Sequence, residues 1–167
     1  RKVEPGSGVI GHIARRGHVP IGYYNAPEKC AKTFIEVDGE RWAIPGDLAT
    51  VEADGRILLL GRGSVSINSG GEKVFPEEVE SVVQECPDVL DAVVVGVADE
   101  RFGEQVVAVC QTRSGAPLEL EKLRDFCRGK LASYKIPRRV VCLAQIKRSP
   151  AGKADYPWAR EAARNAS

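Results

Sequence analysis

Residues 61–80 read GRGSVSINSGGEKVFPEEVE, and this stretch decides how the second half of the chain folds. The paired glycines Gly70-Gly71 allow positive φ, so they predict a tight turn that a ligand can approach closely. Pro76 followed by two glutamates predicts the start of a helix, because carboxylates favour the positive end of the helix dipole. Arg62 and Lys73 place cationic donors on either side of the turn, as a phosphate ligand would need. A plain β-hairpin that runs into a helix remains the simpler interpretation.

The rest of the C-terminal half shows helix and strand patterns in turn. The patterns predict a hairpin at 66–75, helices at 76–86, 118–131 and near 158–164, and strands at 89–97, 106–112 and 139–143. A change in composition at residues 62–64 places a boundary after Arg62. We therefore expect an α+β fold, in which residues 63–167 form a small domain with a β-hairpin and a three-stranded sheet flanked by helices.

Residues 1–62 are predicted to be rich in β-structure, with a short helix near Pro27. Asp38-Gly39 and Asp54-Gly55 stand between apolar runs and are strong signals for tight hairpin turns. Residues 6–11 fit the pattern G-x-G-x-x-G, but a dinucleotide site needs a strand before the pattern and a helix after it. A proline precedes this segment and a β-like pattern follows it, so we reject a dinucleotide site.

The composition is that of a soluble globular protein, with 43% hydrophobic and 28% charged residues. No apolar run approaches the roughly 18 residues that a membrane helix needs. Five cysteines without a C-x-x-C pair predict free thiols in a reducing cytoplasm and no metal site. The chain opens without a methionine or a signal peptide, which suggests part of a longer cytoplasmic protein.

The charge of the chain is unevenly distributed. Eleven Lys and Arg residues against three Asp and Glu between positions 124 and 164 give that segment a net charge of +8, and the remainder carries −7. A basic end that faces a phosphate-rich ligand would produce this asymmetry, and so would nucleic-acid binding. For most of these residues, a solvated basic helix without a ligand is the better explanation.

Residues 61–80 resemble the hinge-and-loop signature of the adenylate-forming enzymes, the superfamily of acyl-CoA synthetases, firefly luciferase and peptide-synthetase adenylation domains. That signature runs Gly-Arg, an Ile, Gly-Gly, a hydrophobic residue, Pro and Glu-Val-Glu. The resemblance continues in order along the chain at residues 22–28, 93–99 and 131–137. It implies that residues 63–167 are a mobile C-terminal lid domain and that residues 1–62 end a large N-terminal domain.

The loop at residues 147–153 resembles the C-terminal Arg-Thr-x-Ser-Gly-Lys loop of the same family. The family's lysine contacts the acyl carboxylate and the α-phosphate during adenylation, so the resemblance implies that Lys153 is catalytic. Its ammonium would stabilise the charge that develops during an in-line attack on phosphorus.

The resemblance also implies three nucleotide-binding residues. Asp47 matches the family's Thr-Gly-Asp, whose carboxylate accepts hydrogen bonds from both ribose hydroxyls, although Pro45 stands where the family has threonine. Arg62 matches an arginine that touches the nucleotide from the other side. Lys73 would lie near the phosphate of AMP in the second half-reaction.

Coenzyme A and the hinge are implied in the same way. Gly70 and Gly71 would line the tunnel for the pantetheine thiol, and Arg128 aligns with a basic residue that some acyl-CoA synthetases place near the CoA nucleotide. Ser64 occupies the hinge position, where the family more often has Asp or Lys. In the family, the C-terminal domain rotates about this hinge between the two half-reactions.

The resemblance therefore implies the C-terminal part of an acid–CoA ligase that acts in two steps. The first is acyl-AMP formation from a carboxylic acid and ATP with Mg²⁺, and the second is thioester formation on coenzyme A. The form of the glycine loop favours a fatty acid. Since the family's phosphate loop and acyl pocket lie outside this chain, we expect no turnover from the chain alone. Three alternatives stay open: an acyl-AMP ligase or adenylation domain that loads a carrier protein, a non-catalytic nucleotide-binding module, and a nucleic-acid binder, for which we expect no binding.

Overall fold

The computed structural model of the chain describes residues 2–166, which form two compact units. The division falls between Ser64 and Val65, two residues beyond the predicted boundary after Arg62. In the N-terminal unit a short helix, α1 (Pro27–Thr33), accompanies the strands β1 (Gly11–His12), β2 (Arg15–Arg16), β3 (Phe34–Val37), β4 (Glu40–Ala43), β5 (Asp47–Val51) and β6 (Ile57–Arg62). These strands form two antiparallel sheets, ordered β1-β5-β6 and β2-β4-β3.

Both predicted hairpins of the N-terminal unit are confirmed. The turn between β3 and β4 is Asp38-Gly39, where both residues have positive φ (54° and 73°), the geometry that matches the twist of the paired strands. In the turn between β5 and β6, Gly55 has a φ of 85° and the Asp54 carboxylate accepts a hydrogen bond from the Arg56 N–H at 3.1 Å. Residues 6–11 lead into β1 and not into a helix, which agrees with the rejection of a dinucleotide site.

The C-terminal unit contains the α+β arrangement that the sequence predicts. Its elements are β7 (Ile67–Ser69), β8 (Glu72–Val74), α2 (Pro76–Gln84), β9 (Val89–Asp99), β10 (Gly103–Thr112), α3 (Leu120–Cys127), β11 (Arg139–Cys142) and α4 (Tyr156–Asn165). Helix α3 is shorter than the predicted 118–131, because Arg128 turns to extended backbone and Gly129 adopts a φ of 78°. Leu131 nevertheless stays buried.

Strand β10 is the centre of the sheet in this unit. It pairs along its whole length with antiparallel β9, and its other edge pairs with parallel β11. The same edge also pairs with β7 at Gly103↔Ser69, so the predicted hairpin and the three predicted strands together form one five-stranded sheet. The pairing fixes the Gly-Gly turn beside the connection between β9 and β10.

The sheet is buried on both faces, because successive side chains of a strand point to opposite sides. Ala92 and Val94 of β9 pack with α2 and α3, while Val93 and Val95 pack with α4. All four side chains are 0–1% exposed. The sheet is thus a rigid frame from which the connecting loops project.

The outer edge of β9 carries no further strand within the described residues, and side chains satisfy its backbone instead. Glu80 accepts a hydrogen bond from the Val94 N–H at 2.9 Å. Gln84 donates to the Ala92 carbonyl at 3.2 Å, and Arg160 donates to the carbonyl of Gly96, also at 3.2 Å. This edge therefore provides attachment points for neighbouring segments.

Candidate functional site

The structure brings Asp47 and Arg62 together. They are cross-strand partners at the end of the β5–β6 pair, and the Arg62 Nε lies 3.2 Å from the Asp47 Oδ1. The two side chains are 30% and 59% exposed, so the ion pair contributes little stability and both groups can meet a ligand. A carboxylate and a guanidinium side by side suit the hydroxyls and phosphates of a nucleotide.

Lys153 lies in a tight, internally bonded loop. The Ser149 N–H donates to the Lys153 carbonyl at 2.9 Å, and the Lys153 N–H donates to Ser149 Oγ at 3.1 Å. Gly152, with a φ of 76°, closes the turn by donating to the Ser149 carbonyl at 2.8 Å. The loop leaves Lys153 exposed, so its ammonium can enter another site.

Arg148 attaches this loop to strand β9. Its Nε and Nη2 form a bidentate pair with the Asp91 carboxylate at 2.8 and 2.6 Å, and its Nη1 donates to the Gly152 carbonyl at 3.1 Å. Hydrogen bonds from Arg148 hold the pKa of Asp91 below its usual value. Sequence reasoning missed this contact, because the two residues are 57 positions apart and neither stands out in its local pattern.

A second contact holds the chain just after Lys153. The Tyr156 hydroxyl donates to Glu80 Oε2 at 3.3 Å, while Glu80 Oε1 accepts from the N–H of Val94. Burial raises the pKa of Glu80 to about 7, and the nearby Glu77 carboxylate adds to the shift. Burial and Glu80 also raise the pKa of Tyr156. This contact was not predicted either.

The Gly70-Gly71 turn lies at the connection between β9 and β10. Both glycines have positive φ, 62° and 85°, and the Gly70 N–H donates to the Phe102 carbonyl at 2.8 Å. The guanidinium carbons of Arg138 and Arg101 lie 3.8 and 5.1 Å from the centroid of the Phe102 ring. No carboxylate of residues 2–166 forms an ion pair with either arginine. Sequence reasoning singled out Lys73, which is exposed on β8, but missed these two cations.

The two predicted functional loops project from opposite ends of one strand. The Lys153 loop is attached at Asp91 and Ala92, at the start of β9, and the Gly-Gly turn lies beside Asp99, at its end. Asp99 lies eight positions after Asp91 along the strand, a distance of roughly 26 Å at about 3.3 Å per position. A single orientation of this unit therefore cannot bring both loops to the same reacting atoms.

The remaining predicted residues are Arg128 and Ser64. Arg128 follows the last residue of α3 and forms ion pairs with Asp125 and with Glu121, the latter at 3.7 Å. Its charge is engaged within its own helix, and a role in CoA binding stays a prediction. Ser64 lies in the single helical turn Gly63–Val65 that links the two units, and its role as a hinge is likewise a prediction.

Metal ligands and membrane segments do not define a site in the described residues. Residues 2–166 contain no cluster of three or more His, Cys, Asp or Glu side chains arranged to hold a metal ion. Cys86, Cys110 and Cys127 are buried, whereas Cys30 and Cys142 are half-buried. None of the helices formed by this part of the chain has the length and apolar character to cross a membrane.

The chain is similar in sequence to known proteins. Residues 78–153 match the family model of the AMP-binding enzyme C-terminal domain. The chain is 56% identical, over 96% of its length and 29% of the relative, to a medium/long-chain-fatty-acid–CoA/3-oxocholest-4-en-26-oate–CoA ligase of Mycobacterium tuberculosis. It is 57% identical, over 95% of its length and 29% of the relative, to a 3-oxocholest-4-en-26-oate–CoA ligase of Rhodococcus rhodochrous.

Two solved structures resemble this chain in fold and in sequence. o-Succinylbenzoate CoA synthetase of Bacillus subtilis, in complex with its acyl-adenylate intermediate, superposes with a TM-score of 0.80 at 31% identity, over 95% of this chain and 30% of that protein. An amide bond synthetase of Marinactinospora thermotolerans gives 0.78 at 35% identity, over 92% and 31%. The chain thus spans about 29% of the length of the curated relatives that it matches. It belongs to the adenylate-forming enzymes and corresponds to the C-terminal part of an acyl-CoA synthetase.

Proposed function

We propose that this chain supplies the C-terminal part of an ATP-dependent acid–CoA ligase that works in two steps. In the first, a carboxylate oxygen of the acid attacks the α-phosphorus of ATP, and pyrophosphate leaves with Mg²⁺. In the second, the CoA thiolate attacks the acyl carbon, and AMP leaves. The observation that carries the proposal is the placement of two different loops at opposite ends of strand β9, one for each step.

Lys153 acts in the first step. Its ammonium stands on an ordered loop and can lie between the acyl carboxylate and the α-phosphate, where it offsets the negative charge that builds up as the oxygen approaches phosphorus. Asp47 and Arg62 hold the nucleotide, the carboxylate through the ribose hydroxyls and the guanidinium from the other side. Their ion pair at 3.2 Å keeps both groups oriented before the nucleotide binds.

The Gly70-Gly71 turn acts in the second step. Glycines without side chains allow the pantetheine arm to pass close to the backbone. Lys73, Arg101 and Arg138 lie at the same end of the sheet and offer cations to the phosphates of CoA. Because the other end of the sheet carries Lys153, residues 65–167 must turn between the steps, and Ser64 is the proposed hinge.

The acid is proposed from the relatives, which are named for medium- and long-chain fatty acids and for a steroid carboxylate. We propose a fatty or steroid side-chain acid, and a cytoplasmic location in which the five thiols stay reduced. The similarity to an amide bond synthetase supports a second candidate, an enzyme that transfers the same acyl-adenylate to an acceptor other than CoA.

The test uses the full-length enzyme, of which this chain is the proposed C-terminal part. ATP–pyrophosphate exchange is measured across a panel of fatty and steroid acids for the wild type, Lys153→Ala and the control Lys147→Ala, an exposed lysine of the same segment. We expect exchange to fall at least 100-fold in Lys153→Ala and to stay within twofold in the control. Thioester formation from supplied acyl-adenylate should persist in both variants.

Other results would change the proposal. Equal exchange in Lys153→Ala and wild type would remove Lys153 from the chemistry. Exchange with acyl transfer to an amine or a carrier-protein thiol, but none to CoA, would favour the second candidate. Turnover by residues 1–167 alone would contradict the assignment of the acyl and ATP pockets to a part of the protein outside this chain.

A further inference from the structure

The segment that carries Lys153 is attached to the sheet on both sides of the lysine. Before it, Arg148 binds Asp91 and the carbonyl of Ala92. After it, Tyr156 binds Glu80, which also accepts the N–H of Val94. Both attachments therefore end on neighbouring positions of the outer edge of β9.

We propose that these two attachments, Asp91–Arg148 and Glu80–Tyr156, are positioning contacts that hold the ammonium of Lys153 in place for acyl-adenylate formation. The proposal rests on the proposed function, because it concerns the same step. None of the four residues is expected to touch a substrate. Each acts through the backbone of the segment between residues 148 and 156.

Arg148 makes the more direct connection. Two of its nitrogens bind the Asp91 carboxylate in a fork, which fixes the plane of the guanidinium. The third nitrogen then holds the carbonyl of Gly152, the residue directly before Lys153. The loop's other backbone bonds join Ser149 to Gly152 and Lys153, so they shape the loop without attaching it to the sheet.

The two ion-paired residues are well shielded. The side chains of Arg148 and Asp91 are 29% and 23% exposed, whereas a typical surface pair of this unit, Arg128 with Glu121, is 56% and 65% exposed. A shielded bidentate pair constrains geometry in a way that a solvated pair does not. Lysine could replace the charge of Arg148, but its single nitrogen could not reproduce the bidentate pair with the carboxylate together with the bond to the Gly152 carbonyl.

Such constraint matters for the first step alone. Misplacing a reacting or charge-stabilising group by about 1 Å can lower a rate by roughly 100-fold. In the second step, the Gly-Gly turn at the other end of β9 faces the reaction. Weakening the contacts around Lys153 should therefore slow adenylation and leave thioester formation from acyl-adenylate unchanged.

The experiment compares four variants of the full-length enzyme: Arg148→Gln, Arg148→Lys, Asp91→Asn and Tyr156→Phe. The control is Arg160→Gln, which also loses a hydrogen bond to the β9 edge, at the Gly96 carbonyl, but lies beyond the segment between residues 148 and 156. We expect the kcat of pyrophosphate exchange to fall about 10- to 100-fold in the Arg148 and Asp91 variants and about 3- to 10-fold in Tyr156→Phe. The KM for ATP of these variants should stay within twofold of the wild-type value. The kcat of exchange in the control variant should also stay within twofold of wild type.

Two further readouts separate positioning from general stability. Thioester formation from supplied acyl-adenylate shows that each variant is folded and should be unchanged. In a Lys153→Ala background, Arg148→Gln should cause no additional loss of exchange, because it acts only through the lysine. Hydrogen exchange of the amides at residues 149–153 should accelerate in Arg148→Gln.

The inference is overturned if Arg148→Gln lowers both half-reactions equally, or lowers exchange further in the Lys153→Ala background. Wild-type exchange in Arg148→Gln and Tyr156→Phe, with a large loss in Lys153→Ala, would overturn this inference while the proposed function stands. If Lys153→Ala shows no loss of pyrophosphate exchange, both this inference and the proposed role of Lys153 are overturned.

Discussion

Glu80 makes the stability of the C-terminal unit depend on pH in an unusual direction. Its carboxyl lies between α2, β9 and α4, where it accepts hydrogen bonds from Val94 N–H and the Tyr156 hydroxyl, with Arg148 and the Glu77 carboxylate nearby. Burial disfavours the charged form and raises the pKa from 4.5 to about 7. Glu80→Gln keeps the shape of the side chain and removes its titration, so it is the informative substitution.

The size and sign of the effect follow from the two pKa values. The folded protein holds the proton of Glu80 between about pH 4.5 and pH 7, whereas the unfolded chain releases it, so stability falls as pH rises through this window. The full shift corresponds to about 3 kcal/mol, at about 1.4 kcal/mol per pKa unit. Relative to wild type, Glu80→Gln should therefore be up to about 3 kcal/mol more stable at pH 8, and this difference should shrink towards pH 5.

The assay is urea unfolding at pH 5 and pH 8, followed by the fluorescence of Trp158. This residue lies in the first turn of α4 and packs against the core, and Trp42→Phe removes the other tryptophan, which lies in the N-terminal unit. Glu100→Gln, at an exposed turn position, controls for the change in net charge. A stability difference between Glu80→Gln and wild type that is the same at both pH values would refute the reasoning.

Three further predictions concern packing, thiols and the second half-reaction. A methyl group at Gly96 would lie 2.7 Å from Glu104 Oε1 and 2.9 Å from Ile67 Cγ2, so Gly96→Ala should destabilise the unit by about 1–3 kcal/mol in urea unfolding. Ala98→Ser, at an exposed position near the end of β9, should not destabilise it. Burial raises the pKa of Cys110 to about 12, so its thiol should react slowly with an alkylating reagent. Mass spectrometry should find the half-buried Cys30 and Cys142 alkylated first, and equal alkylation rates at Cys110 and Cys30 would contradict this. Arg138→Gln should slow thioester formation at least fivefold and leave pyrophosphate exchange unchanged, because the guanidinium of Arg138 lies at the Gly-Gly end of the sheet. An equal loss of pyrophosphate exchange would contradict a role of Arg138 in the second step alone.

Much of the fold was predictable from local signals. The turns at Asp38-Gly39 and Gly70-Gly71 and the helix start at Pro76 depend on the backbone preferences of the residues themselves, and each lies where it was predicted. Helix α3 was predicted too long because its apolar spacing continues to Leu131. That residue reaches the core from a turn instead, since Gly129 has already ended the helix.

The candidate site also contains residues that the sequence predicted and residues that it did not. Lys153, Asp47 and the glycine pair were identified from short motifs, and the structure adds the contact of Asp47 with Arg62. Arg101 and Arg138 carried no motif. They lie together because both reach the ring of Phe102, although Arg138 comes from the start of the segment that leads into β11.

The turns, the helix starts and the loop motifs were recognisable in the amino-acid sequence, because they depend on residues within a few positions of each other. The pairing of Asp91 with Arg148, the pairing of Glu80 with Tyr156 and the placement of the two loops at opposite ends of β9 became evident from the folded chain. Those contacts join residues 57 and 76 positions apart, and they depend on the register of the sheet. A slip of one residue in that register would turn Asp91 to the other face and separate it from Arg148. The register is set by the β9–β10 turn together with the packing of apolar side chains on both faces of the sheet.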